Sequence, residues 1–137
     1  MDVPGGDYWT AWERFLKDVL LVRGYIDSHD FSLFEQAGSI DEAVEKIDRF
    51  YARYHSLRYV GEKMVIRLLS TLSPSEVRKL KDVFADLLLP SGDLYLSKPL
   101  PEEQNEIDII HLPRLVVDFN KRDFGRLREM IDALNSI

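Results

Sequence analysis

Several groups of residues in this chain are of types that do chemistry. Pro4-Gly5-Gly6, followed by Thr10 and Glu13, offers small residues of the kind that let backbone N–H groups approach an anion at a helix N-terminus. The next residues are Asp7, Tyr8 and Trp9. An acid in the first turn repels phosphate, and the Walker spacing is absent, so the segment reads as a strand-to-helix turn. The strand that such a turn would leave is missing before it. His29, His55 and His111 lie far apart, and none has a metal-type partner at helical spacing, so no metal site is expected. Glu102, Glu103 and Glu106 fall in a proline-bounded stretch that supplies neither the cleft nor the fixed separation that acid–base carboxylates need. Ser39 and Ser73 precede helical patterns as caps, and no G-x-S-x-G turn surrounds either. No catalytic residue is assigned, and no cofactor is expected.

The best ligand candidate is a basic-aromatic patch made of Arg49, Arg53, Tyr54, His55, Arg58 and Tyr59. Arginines fork onto phosphates and tyrosines stack on bases, so a nucleotide or another small phosphate ligand is the chemistry it suits. The competing reading sets the aromatic residues inward and leaves the arginines on a solvated helix face.

The elements that must position these residues follow from periodicity. Tyr8, Trp9, Trp12, Phe15, Leu16, Val19, Leu20 and Val22 recur at three- and four-residue spacing, with Asp7 as N-cap and Gly24 as C′ residue. Burying five such side chains is worth roughly 8–15 kcal/mol. The stripe therefore needs a partner surface, and Trp9, Trp12, Phe15, Leu16, Val19 and Leu20 are the expected oligomer interface. A linker with one short turn near Asp30–Phe34 leads to a capping box at Ser39 and Glu42. The second helix is expected to run to His55 or Ser56. Strands are expected at Met64–Leu69, Leu94–Leu96 and Arg114–Phe119. Ser73-Pro74-Ser75-Glu76 opens a third helix, and Asn120 or Asp123 caps a fourth through Phe124, Leu127, Ile131 and Leu134. Pro99 to Glu106 reads as a mobile, solvated acidic loop.

This order predicts an α+β fold: N-terminal helices, then a β-α-β-β-α unit whose small three-stranded antiparallel sheet carries its helices on one face, like a ferredoxin-like unit lacking its last strand. The expected division is a helical segment and linker over 1–38 and an α+β domain over 39–137. With 18 basic and 24 acidic residues the net charge is -6, a poor basis for nucleic-acid binding. No apolar run approaches a membrane span, and the absence of cysteine fits a cytoplasmic protein.

Three stretches resemble one family. They are Asp2-Val3-Pro4-Gly5-Gly6-Asp7-Tyr8-Trp9 with Trp12 and Leu20–Ile26; Ser39–Ile47 with Phe50-Tyr51, Tyr54-His55-Ser56 and Arg58-Tyr59-Val60; and Leu112–Val116 with Phe119-Asn120, Asp123–Arg128 and Ile131–Asn135. In order and spacing they resemble the C-terminal part of the larger LOG ("Lonely Guy") type proteins, also labelled possible lysine decarboxylases. The resemblance implies a Rossmann-like nucleotide-binding part upstream, of which 1–38 is a remnant, and cleavage of nucleoside 5′-monophosphates by the whole protein. The family's Pro-Gly-Gly-x-Gly-Thr-x-x-Glu signature does not fit Pro4-Gly5-Gly6, where Glu13 stands one position too far on, so no catalytic residue carries over. The implied function is a non-catalytic interaction, oligomerisation or regulatory module that forms a dimer through its first helix. The alternatives are part of a nucleotide N-glycosidase completed by an upstream domain, and a small phosphate-ligand sensor built on Arg49, Arg53, Tyr54 and Arg58.

Overall fold

A computed structural model describes residues 5–137, so the Met1–Pro4 portion of the expected turn lies outside the described residues. Helix α1, Tyr8–Phe15, passes directly into a π-helical stretch, Leu16–Leu21, and a 3-10 helix, Ser28–Leu33, precedes α2, Ile40–Phe50. Then come β1 (Tyr54–Val60), β2 (Lys63–Leu68), α3 (Pro74–Val83), β3 (Leu94–Ser97), β4 (Arg114–Val117) and α4 (Phe124–Asn135). The class is α+β. The sheet has four strands in the order β1-β2-β4-β3, with every neighbouring pair antiparallel. Because β2 and β3 both oppose β4, they run parallel to each other with β4 inserted between them. The β2-α3-β3 crossover is thus split by the last strand.

The fourth strand corrects the expected three. Tyr51 and Tyr54 fit a helical period, yet α2 stops at Phe50 and Tyr54–Val60 is an edge strand. Asn135 explains the break. Its Oδ1 accepts the N–H groups of Arg53 (2.9 Å) and Tyr54 (2.8 Å), and its Nδ2 donates to the Phe50 carbonyl (2.5 Å). Those backbone groups are taken by α4 and are not free to continue the helix. Gly61, at φ 58°, then opens the two-residue turn that pairs β1 with β2. Glycine at the first turn position matches the twist of a tight hairpin.

Helices α3 and α4 cover one face of the sheet. Met64, Ile66, Leu68, Leu115 and Val117 meet Leu80, Phe84, Leu127, Met130 and Leu134 there, all buried. Strand alternation sends Val65, Arg67, Arg114 and Val116 to the opposite face, also buried. The stretch between β3 and β4 covers that face, which overturns the expected solvated loop. It folds into 3-10 turns at Pro101–Glu103 and Ile107–Ile109, and Glu103 is fully buried. The reason is electrostatic. Arg67 and Arg114 are cross-strand neighbours, both buried, and an anion must come to them.

Candidate interaction surface

The structure disperses the basic-aromatic patch. Arg49 lies exposed on α2. Arg53 sits in the turn before β1 with Nη1 3.8 Å from Glu76. Tyr54 packs on Phe50 and Tyr51, at ring centroid distances of 5.0 and 5.9 Å, and burial pushes its phenol above the usual value. His55 Nδ1 lies 2.9 Å from its neighbour Ser56 Oγ. Arg58 pairs with Glu106, on the face away from the helices. Tyr59 is exposed, under the ammonium of Lys121 at 5.9 Å. The end of α2 at Phe50 sets Arg49 apart, and within β1 strand alternation turns Arg58 and Tyr59 to opposite faces. None of the six lines the polar basin where the 3-10 helix meets α4 or the apolar groove beside α2.

Sequence reasoning missed the polar network on the sheet's second face. Glu103 Oε1 accepts from Arg67 Nε (3.1 Å) and Nη2 (2.8 Å), while its Oε2 accepts from Arg114 Nε (3.3 Å) and the Leu100 N–H (3.2 Å). Glu106 joins Arg67 to Arg58. Arg114 Nη1 also donates to the carbonyls of Ile109 (2.9 Å), Ile110 (3.2 Å) and Leu112. Burial pushes the Glu103 carboxyl up, but the Leu100 N–H and the two guanidiniums outweigh it and hold it below the ordinary carboxylate value. The signal was present in the sequence: an arginine inside each of two otherwise apolar strands demands a buried acid. These side chains hold one another and bind the 98–113 stretch to the sheet, with the buried Arg114 Nη2 left without a partner among the described residues.

A polar basin of about 300 Å³ lies where the 3-10 helix meets α4, lined by Asp27, His29, Asp30, Asp86, Asp123 and Arg126 among others. His29 Nδ1 is 2.7 Å from Glu129, and that carboxylate raises the His29 pKa above its ordinary value against a weaker opposing effect of burial. Ser32 Oγ donates to the Gly125 carbonyl at 2.6 Å, and Arg128 Nη2 reaches Glu35 at 2.9 Å. Among the described residues, no group of three or more His, Cys, Asp or Glu side chains could hold a metal ion.

The remaining surface feature is apolar. Helix α1 contains no buried residue and makes no side-chain cap bond at Asp7. Its inner side rests on the linker, with Trp12 edge-on to Phe34 at 4.9 Å and Leu16 buried one turn later. The π-helical stretch brings Val19, Leu20 and Leu21 to partial burial together. A 3.6-residue turn spreads three consecutive residues more widely around the axis. Of the expected interface residues, Trp12, Leu16, Val19 and Leu20 are thus engaged within the chain, whereas Trp9 and Phe15 stay exposed, joined by Val22. Phe15 keeps 49% of its surface and Val22 78%.

Helix α2 likewise has no buried residue, although its Ser39 cap, with Oγ accepting from the Glu42 N–H at 3.1 Å, and its sequence pattern are those of a strong helix. Ile40, Val44, Ile47 and Tyr51 are all exposed. An open groove of about 420 Å³ runs beside them, walled by Leu33, Phe34 and Ala37 opposite Ala43, Ile47 and Phe50. Gln36 ties the two helices to one strap: its Nε2 donates to Glu13 at 2.8 Å, and its carbonyl accepts from Lys46 at 2.5 Å. No helix among the described residues is long and apolar enough to cross a membrane.

No protein-family model, curated protein or solved structure matches this chain.

Proposed function

We propose that this chain is a non-catalytic interaction module, of the kind found at the C-terminal end of LOG-like nucleotide-binding proteins, and that it works in the cytoplasm as a homodimer joined through α1. The supporting observation is the outer side of α1. Phe15 at its end, Val22 after the π-helical stretch and the outer part of Trp9 stay exposed, although Trp9 lies edge-on to Trp12 and Trp12 is seated on Phe34. A second copy meeting them through a self-complementary patch is the commonest way to cover exposed apolar side chains of this kind. The burial of Arg67, Arg114 and Glu103 against one another and the dispersal of the basic-aromatic patch weigh against a catalytic or phosphate-binding role for these residues. Sedimentation equilibrium over micromolar concentrations tests the reading. A dimer that becomes monomeric in Phe15→Asp/Val22→Asp is the expected result. A wild-type chain that stays monomeric, or one that by itself hydrolyses AMP to adenine and ribose 5-phosphate, overturns it.

A further inference from the structure

We infer that the exposed seam of α2 receives an amphipathic helix of a different protein, one whose apolar stripe is flanked by lysine or arginine. This surface is separate from the α1 contact. Ile40, Val44, Ile47 and Tyr51 follow one another at spacings of four, three and four, the a/d pattern of a helix that packs against one other helix. All of them are exposed, Ile40 at 70% and Ile47 at 57%. The inner side of α2 is already committed elsewhere. Lys46 is held by Glu35 and Glu42, and Phe50 packs on Tyr54. Apart from Tyr51, which caps the end of α2 and lays its ring against Phe50 and Tyr54, the seam is therefore surplus to the fold.

The rim decides the occupant. Asp41, Glu45 and Asp48 line one flank of the seam, exposed, and none of them forms an ion pair among the described residues. Ala43 and Phe50 line the other flank, toward the groove. A second copy of α2 does not satisfy this arrangement. Packed antiparallel, it sets Asp41 and Asp48 of one copy against the same residues of the other. Packed parallel, it faces the carboxylates with Ala43 and Phe50, which offer no counter-charge. Like charges across a helix pair disfavour it, and cations at the rim positions favour it. A helix with a basic flank supplies the missing charges while its stripe covers the four apolar side chains.

Two labelled two-heptad peptides test this, both with leucine at a and d, one with lysine and the other with glutamate at the flanking positions. Fluorescence anisotropy with the whole chain is expected to show saturable binding of the lysine peptide and none of the glutamate peptide. Val44→Asp/Ile47→Asp, both at exposed positions, is expected to abolish that binding while the far-UV spectrum and melting curve stay those of the wild type. Asp41→Asn/Asp48→Asn, which leaves the seam intact, is expected to weaken it about tenfold. Equal binding of the two peptides, no binding of the lysine peptide, or undiminished binding to the seam variant overturns the inference. So does a wild-type dimer that dissociates in Val44→Asp/Ile47→Asp, because a second copy is then the occupant. Loss of the dimer in the α1 variant with peptide binding retained supports both readings as separate surfaces.

Discussion

Glu103 is the residue on which the second face of the sheet turns. Three guanidiniums, of Arg58, Arg67 and Arg114, converge there on two carboxylates, and Glu103 is the one with no exposure to water. Removing one partner of a buried pair leaves the other charge desolvated and alone, a larger loss than the net worth of the pair. Glu103→Ala is therefore expected to lose about 3–5 kcal/mol in urea unfolding at neutral pH. Glu106→Ala, at a partly exposed position, is expected to lose much less. The same group gives the acid limb of stability a sign. Its folded pKa is depressed, so its contribution is complete above about pH 4.3, where an unfolded glutamate ionises, and is lost as pH falls through the lower folded value. Stability curves of the wild type and Glu103→Gln measured between neutral pH and pH 3 are expected to converge on the acid side. A constant gap across that range removes Glu103 from the account.

Among the elements, the contact of the Ser28–Leu33 helix with α4 decides whether the N-terminal helices stay on the body. Gly125 makes that contact possible. A Cβ there meets the backbone of His29 and Asp30, with the Asp30 nitrogen at 2.7 Å, and backbone does not yield as a flexible side chain does. Gly125→Ala is expected to cost about 1–3 kcal/mol and to speed proteolysis between Tyr25 and Gly38. Unchanged cleavage argues that the segment is held elsewhere. The His29–Glu129 pair adds a pH dependence of opposite sign to that of Glu103. With its folded pKa raised, His29 stabilises this contact fully below about pH 6.5 and loses that effect as pH rises through the folded value. Amide exchange over 28–33 is expected to quicken on that rise, corrected for intrinsic rate, in the wild type and not in His29→Gln. What was legible in the sequence follows the same division between local and tertiary causes. Ser39 with Glu42, and Ser73-Pro74 with Glu76, mark the starts of α2 and α3 by local chemistry alone. The end of α2 depends on Asn135, more than eighty residues away in sequence, so the start of β1, from Tyr54 to His55 or Ser56, looked like the last turn of the helix. The burial of Glu103 depends on arginines in two other strands, so its neighbourhood of prolines and acids looked like solvent-facing loop. For the surface, periodicity located the apolar stripes of α1 and α2 but not which side of each the chain itself would use.

For the whole molecule, that division of α1 into a used and an unused side has a thermodynamic consequence. If a second copy covers Trp9, Phe15 and Val22, association and folding are linked, because the unfolded chain has no such surface to offer. Raising the concentration to a hundred times the dissociation constant then adds about 2.7 kcal/mol to apparent stability. For a chain of this length each kcal/mol moves the melting midpoint by about 3 °C or more. The wild-type midpoint is therefore expected to climb with protein concentration across the range in which sedimentation shows dimer. Phe15→Asp/Val22→Asp is expected to melt at a constant temperature, near that of the dilute wild type. Its two positions are exposed in the single chain, so the substitution removes the association and leaves the core formed by α3, α4 and the sheet as it was. A wild-type midpoint independent of concentration breaks the link between α1 and self-association.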